Sequence, residues 1–324
     1  MRTTTLGRSG LAVSRIAFGT WQLGGDWGSF DERAVVETIQ RAYDLGITIF
    51  DTAQGYGYGS SEELLGRALR APLTTDRDSV VLATKGGIDP AGERTRDARP
   101  AWLRSGVESS LRALGVDHID LYQVHWPDPD TPAEETATAL QELVDAGKIR
   151  HVGVSNYDTA QLAAFEAVRP VETLQSPLHL FQREIQDDIL PYARRLDIGF
   201  LAYSPLGSGL LSGALDASTR FEEGDWRAQS SAFTGDAFVR NLEIVDSLAR
   251  FAALRSMTVA QLAVAWVLAQ EGVHVAIVGA RHARNIEAAA DAADLRLSAE
   301  DLVEIDKITQ GATPLLGNTP EGPR

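Results

Sequence analysis

Eight short apolar runs recur along this chain, most of them about 30 residues apart, and each leads into a stretch with helical periodicity. The runs occupy residues 16–18, 48–50, 80–83, 119–124, 152–154, 173–175, 200–203 and 275–278. A strand that is apolar at every position has both faces buried, the condition of a parallel sheet covered by helices. The first helix carries the sharpest pattern. Ser29 with Glu32 forms a capping box, Val35, Ile39, Ala42 and Leu45 line one face, and Gly46 ends it. Further helices are expected at 62–69, 102–114, 133–146, 159–168, 185–196, 242–254 and 284–293. Eight strand–helix units predict an α/β chain folded as one (β/α)8 TIM barrel over residues 1–324. An open doubly wound sheet is the alternative, but no G-x-G-x-x-G follows the first strand.

Residues 1–14 read as two short strands around a glycine-bounded turn, an N-terminal β-hairpin. The interval between Tyr203 and Val275, after the seventh strand, is about twice the usual one. It holds a glycine-rich piece at 206–213 and a polar, aromatic-dotted piece at 216–238. The block 206–240 is therefore expected to be a long loop over the barrel mouth, a lid or a cofactor loop. An extra helix at 298–308 follows the barrel, with Leu302, Val303, Ile305 and Ile308 on one side. The tail 309–324, rich in glycine and proline, is expected to fray.

The totals remove several classes of function. A formal net charge of −15 argues against nucleic-acid binding, which needs basic patches. The chain has no cysteine, which excludes disulfides and thiolate metal sites, and its 6 histidines lack H-x-x-H or H-E-x-x-H spacing. No metal is expected. There is no G-x-S-x-G nucleophile motif. The opening residues lack a signal pattern, and no apolar run reaches the roughly 18 residues of a membrane span. A soluble cytoplasmic protein is expected.

In a (β/α)8 barrel the C-terminal strand ends point into one mouth. Asp51 ends the second run, Lys85 the third and His125 the fourth, with Tyr56 in the loop after the second. Each has an ordinary reading alone: an Asx turn for Asp51, a solvated lysine, a core histidine, a packed tyrosine. Their joint occurrence at three successive strand tips favours a site. A tyrosine titrates near pH 10, and moving that by about three units takes about 4 kcal/mol. A nearby ammonium, held in place by an aspartate, acts in that direction. A tyrosine so tuned is a general acid for a carbonyl oxygen. It supplies no hydride, so a cofactor must.

These residues lie in motifs that resemble the aldo-keto reductase family over roughly residues 3 to 308. The motifs are F-D-T-A-x-x-Y-G at 50–57, L-A-T-K at 82–85, L-R-x-L-G-V-D-x-I-D-L-Y-x-V-H at 111–125, G-K-I-R-x-V-G-V-S-N at 147–156, Y-S-P-L-x-x-G-L-L at 203–211 and I-V-G-A at 277–280. The resemblance implies a catalytic tetrad of Asp51, Tyr56, Lys85 and His125, and NADPH, with NADH possible, extended across the mouth. It implies Ser155, Asn156 and Gln175 on the nicotinamide carboxamide, Tyr203 stacked on the ring, and Gly19, Thr20 and Trp21 beside it. Ser204, Pro205, Leu206, Gly209 and Leu210 would clasp the pyrophosphate, with Val278, Gly279, Ala280, Arg281 and Asn285 around the adenosine. Arg281 is the expected 2′-phosphate ligand, with His282 and Arg284 as alternatives. Trp21, Tyr56, Tyr58, His125 and Trp126 would wall the substrate, capped by Trp226 and Phe233. Asn285 and the pair Ala288–Ala289 depart from the family pattern, which loosens the expected hold on adenine. The implied activity is reduction of aldehydes or ketones to alcohols. A nucleotide-sensing binding subunit with little turnover is the alternative.

Overall fold

A computed structural model describes residues 1–89 and 95–315. β1 (Thr3–Thr5) and β2 (Ala12–Ser14) form the antiparallel hairpin, and eight parallel strands close into a barrel. These are β3 (Ile16–Gly19), β4 (Ile49–Asp51), β5 (Val81–Gly86), β6 (Ile119–Val124), β7 (Ile149–Ser155), β8 (Thr173–Pro177), β9 (Gly199–Tyr203) and β10 (Val275–Gly279), with β10 pairing back onto β3. The register aligns the residues that matter at one rim: Gly279 with Gly19, Gly19 with Asp51, Lys85 with Gln123, and Ser155 with Gln175.

Helices α1 (Glu32–Asp44), α2 (Ser60–Ala68), α3 (Arg70–Thr75), α4 (Pro100–Leu114), α5 (Ala133–Asp145), α6 (Thr159–Glu166), α7 (Ile189–Arg195), α8 (Gly235–Ala253), α9 (Val259–Ala269), α10 (Ala283–Ala292) and α11 (Ala299–Ile308) surround the sheet. None of the described helices is long and apolar enough to cross a membrane. Two hydrophobic clusters result. The larger lies between strands and helices; the smaller fills the barrel with Ala17, Ile49, Ala83, Leu121, Leu201 and Val275. Leu6 and Val13 of the hairpin belong to the inner cluster, so the hairpin plugs the barrel end remote from the tips of β4 and β5.

Some expectations shift. α1 is capped by Asp31, whose carboxylate accepts from the amides of Arg33 (2.9 Å) and Ala34 (3.2 Å). Ser29 sits too early to reach them and donates to Glu222 instead. α7 begins at Ile189, later than expected, after a single turn at Glu184–Gln186. The interval after β9 is less loop-like than its composition suggests. It holds helical turns at Gly207–Ser212 and Trp226–Gln229, and Phe238 already lies in α8. α9 escaped the periodicity reading because it is buried nearly all round, from Leu262 to Leu268, and so shows no polar face. Of the tail expected to fray, Thr313 exchanges two hydrogen bonds with the Asn241 side chain (2.9 and 3.0 Å), and Leu315 donates to Phe181. Residues 316–324 lie outside the described residues.

α2 and α4 pack closely at Gly66. A Cβ there would lie 2.4 Å from the Leu114 carbonyl oxygen. Alanine in a helix gains about 1 kcal/mol over glycine, but backbone overlap costs about 1–3 kcal/mol. Gly66→Ala is expected to lower stability by about 1 kcal/mol or more in urea unfolding; an equal or higher midpoint would show that the two helices separate freely.

Two histidines, His179 buried and His274 half-buried, tie backbone amides: His179 Nδ1 accepts from Phe181 (3.2 Å) and His274 Nδ1 from Phe200 (3.0 Å). Burial pushes His179 down to about 3 and lowers His274 as well. Both are neutral in the fold, while the unfolded chain takes up protons below about pH 6.5. Their stabilisation is complete above that pH and is lost as pH falls, for His179 toward about 3 and by at most about 1.4 kcal/mol per pH unit. The urea midpoint is expected to be lower at pH 5 than at pH 7.5, and His179→Gln should narrow that gap.

Candidate active site

Each strand delivers its last inward-facing side chain to the rim. Asp51, Lys85 and His125 are 3%, 0% and 4% exposed, so the charges among them are withdrawn from water. The Lys85 ammonium donates to Asp51 Oδ1 (2.5 Å), to the Thr52 carbonyl (2.9 Å) and to the Tyr56 hydroxyl (3.3 Å). The other Asp51 oxygen accepts from Gln175 (2.9 Å) and Gln123 (3.5 Å), and Gln175 also donates to Gln123 (3.3 Å). A buried ion pair is tolerated only when its remaining lone pairs and protons are satisfied, and this one is. The rings of Tyr56 and His125 meet edge to face with centroids 5.6 Å apart.

The Tyr56 loop is stitched to the next strand by its backbone. The Thr52 amide donates to the Ala83 carbonyl and the Gln54 amide to the Lys85 carbonyl, both at 2.9 Å. Next to this cluster, Ser155 donates to the Gln175 carbonyl (3.0 Å), and Asn156 donates to Ser155 Oγ (3.1 Å) and the His125 carbonyl (3.0 Å). The Tyr203 hydroxyl donates to Asn156 Oδ1 (2.9 Å). Hydroxyl, amide and aromatic face therefore stand together on the tips of β7, β8 and β9.

A cavity of about 430 Å³ opens over these groups. Gly19, Thr20, Trp21, Asp51, Tyr56, His125, Trp126, Ser155, Asn156, Gln175, Tyr203, Ser204, Pro205, Leu206 and Gly209 border it, and it runs on to Val278, Gly279, Ala280, Arg281, His282, Arg284 and Asn285. Five expected site residues do not border it; Trp226 and Phe233 line a neighbouring pocket with Trp126 and Tyr203 instead. Lys85 lies behind Asp51 and Tyr56, where it touches both. Leu210 is fully buried in the hydrophobic layer. Tyr58 is 74% exposed and borders a separate depression with Glu62 and Trp102, so it is no wall of this cavity. Its φ of 54° lies in the left-handed region.

Arg281 is engaged elsewhere than expected. Its guanidinium donates to the carbonyls of Ser29 (3.2 Å), Gln22 (3.4 Å) and Trp27 (2.5 Å), and burial followed by the nearby Arg227 lowers its pKa. His282 and Arg284 are exposed at the same end. Sequence reasoning missed Gln123, which is fully buried, and Arg227. Arg227 borders the cavity, forks onto Asp225, donates to the Ser208 carbonyl (3.1 Å) and lies over the Trp27 ring at 4.8 Å. Gln123 was findable, because residues 121, 123 and 125 alternate inward on one strand. Arg227 had no such signal, being far from any strand tip.

The segment carrying Arg227 crosses the mouth. Trp27 bridges to Asp225, the Trp226 amide donates to the Asp26 carbonyl (3.1 Å), and the Trp226 ring stacks on Trp21 at 6.1 Å. The turn beneath it uses left-handed backbone at Ser204, Gly207, Ser208 and Gly209. The amides of Gly207 and Gly209 are spent inside that turn, on the carbonyls of Ser204 (2.8 Å) and Leu206 (3.1 Å).

The sequence pattern of the Aldo/keto reductase family fits residues 15–310. The chain is 42% identical to "Aldo-keto reductase YhdN" of Bacillus subtilis over 313 residues, covering 96% of this chain and 94% of that one. It is 31% identical to "NADH-specific methylglyoxal reductase" of Escherichia coli, covering 93% and 96%. Among solved structures it resembles a glycerol dehydrogenase from Gluconobacter oxydans, with TM-score 0.85, 39% identity and 99% and 97% coverage. It also resembles an aldo/keto reductase from Klebsiella pneumoniae in complex with NADP and acetate, with TM-score 0.75, 32% identity and 96% and 95% coverage. A family pattern spanning nearly the whole chain, on a closed eight-stranded barrel, makes this protein a member of the aldo/keto reductase family.

Proposed function

We propose that this protein reduces aldehydes or ketones to alcohols, with NADP(H) as hydride carrier and Tyr56 as the general acid–base. The observation that carries this reading is the Lys85 ammonium touching both Asp51 and the Tyr56 hydroxyl beneath an open cavity. When bound, the nicotinamide supplies a hydride to the carbonyl carbon. Tyr56 donates its proton to the carbonyl oxygen, and the ammonium stabilises the phenolate left behind. Asp51 holds the ammonium in place. His125, edge-on to Tyr56, orients the carbonyl. Alcohol oxidation runs through the same groups in reverse, with NADP as acceptor, and we take the cytoplasm as the compartment.

The residues present suit the dinucleotide. Ser155, Asn156 and Gln175 offer a hydroxyl and two amides to a carboxamide, and Tyr203 offers a ring face. Arg227, which borders the cavity beside the turn at 204–209 and shares its fork with Asp225, is the cation nearest to hand for a pyrophosphate. At the far end Arg281 keeps its fork on carbonyls, which leaves exposed Arg284 as the cation for a 2′-phosphate. With alanine at 288 and 289, little else there selects a phosphorylated ribose. Trp21, His125 and Trp126 would wall the substrate.

Tyr56→Phe is expected to lower turnover about 10²–10⁴-fold while NADPH still binds. Aldehyde-dependent loss of NADPH near-ultraviolet absorbance measures the first, and quenching of protein fluorescence the second. Unchanged turnover would remove Tyr56 from its role. Arg284→Ala is expected to weaken NADP⁺ binding about tenfold and leave NAD⁺ binding unchanged, as loss of one charge-assisted phosphate contact does. Equal weakening of both would assign the phosphate to Arg281 or His282.

A further inference from the structure

Behind Lys85, on the outer face of the barrel wall, lies a buried carboxyl that the proton transfer does not use. Glu62 sits in the first turn of α2 and is 1% exposed. Its Oε1 accepts from the Thr84 hydroxyl at 2.6 Å. Thr84 is fully buried on β5, immediately before Lys85. Ser110 of α4 and Tyr122 of β6, both fully buried, complete the surroundings. Room for the Tyr122 hydroxyl exists because residue 86 is glycine, where a Cβ would fall 1.9 Å from it.

The connectivity gives this hydrogen bond its meaning. α2 begins four residues after Tyr56, and the Ser61 amide donates to the Tyr56 carbonyl (3.3 Å). Chain from Tyr56 to Glu62, the bond to Thr84, the step to Lys85 and the contact back to Tyr56 make a closed ring. Two of its links are non-covalent. One is the 3.3 Å contact on which the proposed chemistry depends, and the other is the 2.6 Å bond on the far side of the strand. Loosening the second lets the Tyr56-bearing loop and the Lys85-bearing strand move apart.

We propose that Glu62 is a positioning residue for proton transfer, setting the Tyr56–Lys85 separation through Thr84. The inference rests on Tyr56 being the acid–base. Burial raises the pKa of Glu62, opposed by the Thr84 hydrogen bond, the neighbouring Ser110 hydroxyl and Lys85; glutamine keeps the Oε1 acceptor for Thr84 and carries no charge. The ionisable groups facing Glu62 are Lys85 from β5 and Tyr122 from β6.

Thr84→Val and Glu62→Met remove the bond without adding charge. Each is expected to lower kcat for carbonyl reduction about tenfold or more, as misplacements well under 1 Å do. NADP⁺ affinity should be unchanged. The alkaline limb of the kcat profile should move up, because a more distant ammonium helps the phenolate less. Glu62→Gln should recover most of the loss, and the double variant should be no worse than either single one. If Glu62→Met folds poorly, Thr84→Val alone decides. Wild-type kcat and an unmoved pH profile in Thr84→Val would overturn the proposal and leave a structural role. A Glu62→Gln loss equal to that of Glu62→Met would overturn it too, in favour of charge. Tyr56→Phe separates the two levels: if it is fully active, the acid–base reading fails; if it is inactive while Thr84→Val is normal, only this inference fails.

Discussion

A buried ammonium needs anionic and carbonyl partners at fixed distances, and that need organises this barrel's mouth. Lys85 finds Asp51, the Thr52 carbonyl and Tyr56, all on the connection that begins at the neighbouring strand. Asp51 in turn holds Gln175 from across the barrel. One carboxylate therefore links the group that would move a proton to the amide that would seat a carboxamide. Breaking either partner of the pair would strand a charge in a site with almost no water access, a loss of about 3–5 kcal/mol.

The parts of this arrangement differ in how far the sequence shows them. Strand runs and their acidic, basic and imidazole tips were legible because β-strands in a barrel are short, apolar and end abruptly in polar residues. The helix that starts at Thr258, with its capping box to Gln261, went unread because, apolar all round, it hides its period. Tyr58 shows the limit of a motif. Two residues from Tyr56, in a glycine-rich turn, its direction depends on φ angles that residue types do not dictate. Arg281 shows another limit: an arginine beside a helix start suggests phosphate, yet three backbone carbonyls of a distant loop reach it first. Arg227 was out of reach because its place depends on tertiary packing between Trp27 and Ser208.

The end of the cavity proposed for adenosine is its least committed part. Exposed Arg284 and His282, and alanines at 288 and 289, contrast with the interlocked hydrogen bonds around Gln175. On the proposed reading, hold on the reactive ring would come from a desolvated, hydrogen-bonded set of groups, and choice between phosphorylated and plain dinucleotide would fall to exposed side chains. Relatives that differ in this choice are compatible with one reaction centre.

The crossing between Trp27 and Asp225 joins two regions nearly 200 positions apart in the chain. With Trp226 bonded to Asp26 and stacked on Trp21, it makes a bridge over the channel rather than a rim beside it. On the proposed reading, a dinucleotide beneath it would be threaded rather than laid down, and its residence time would be set by how often the bridge opens, a local event with its own barrier.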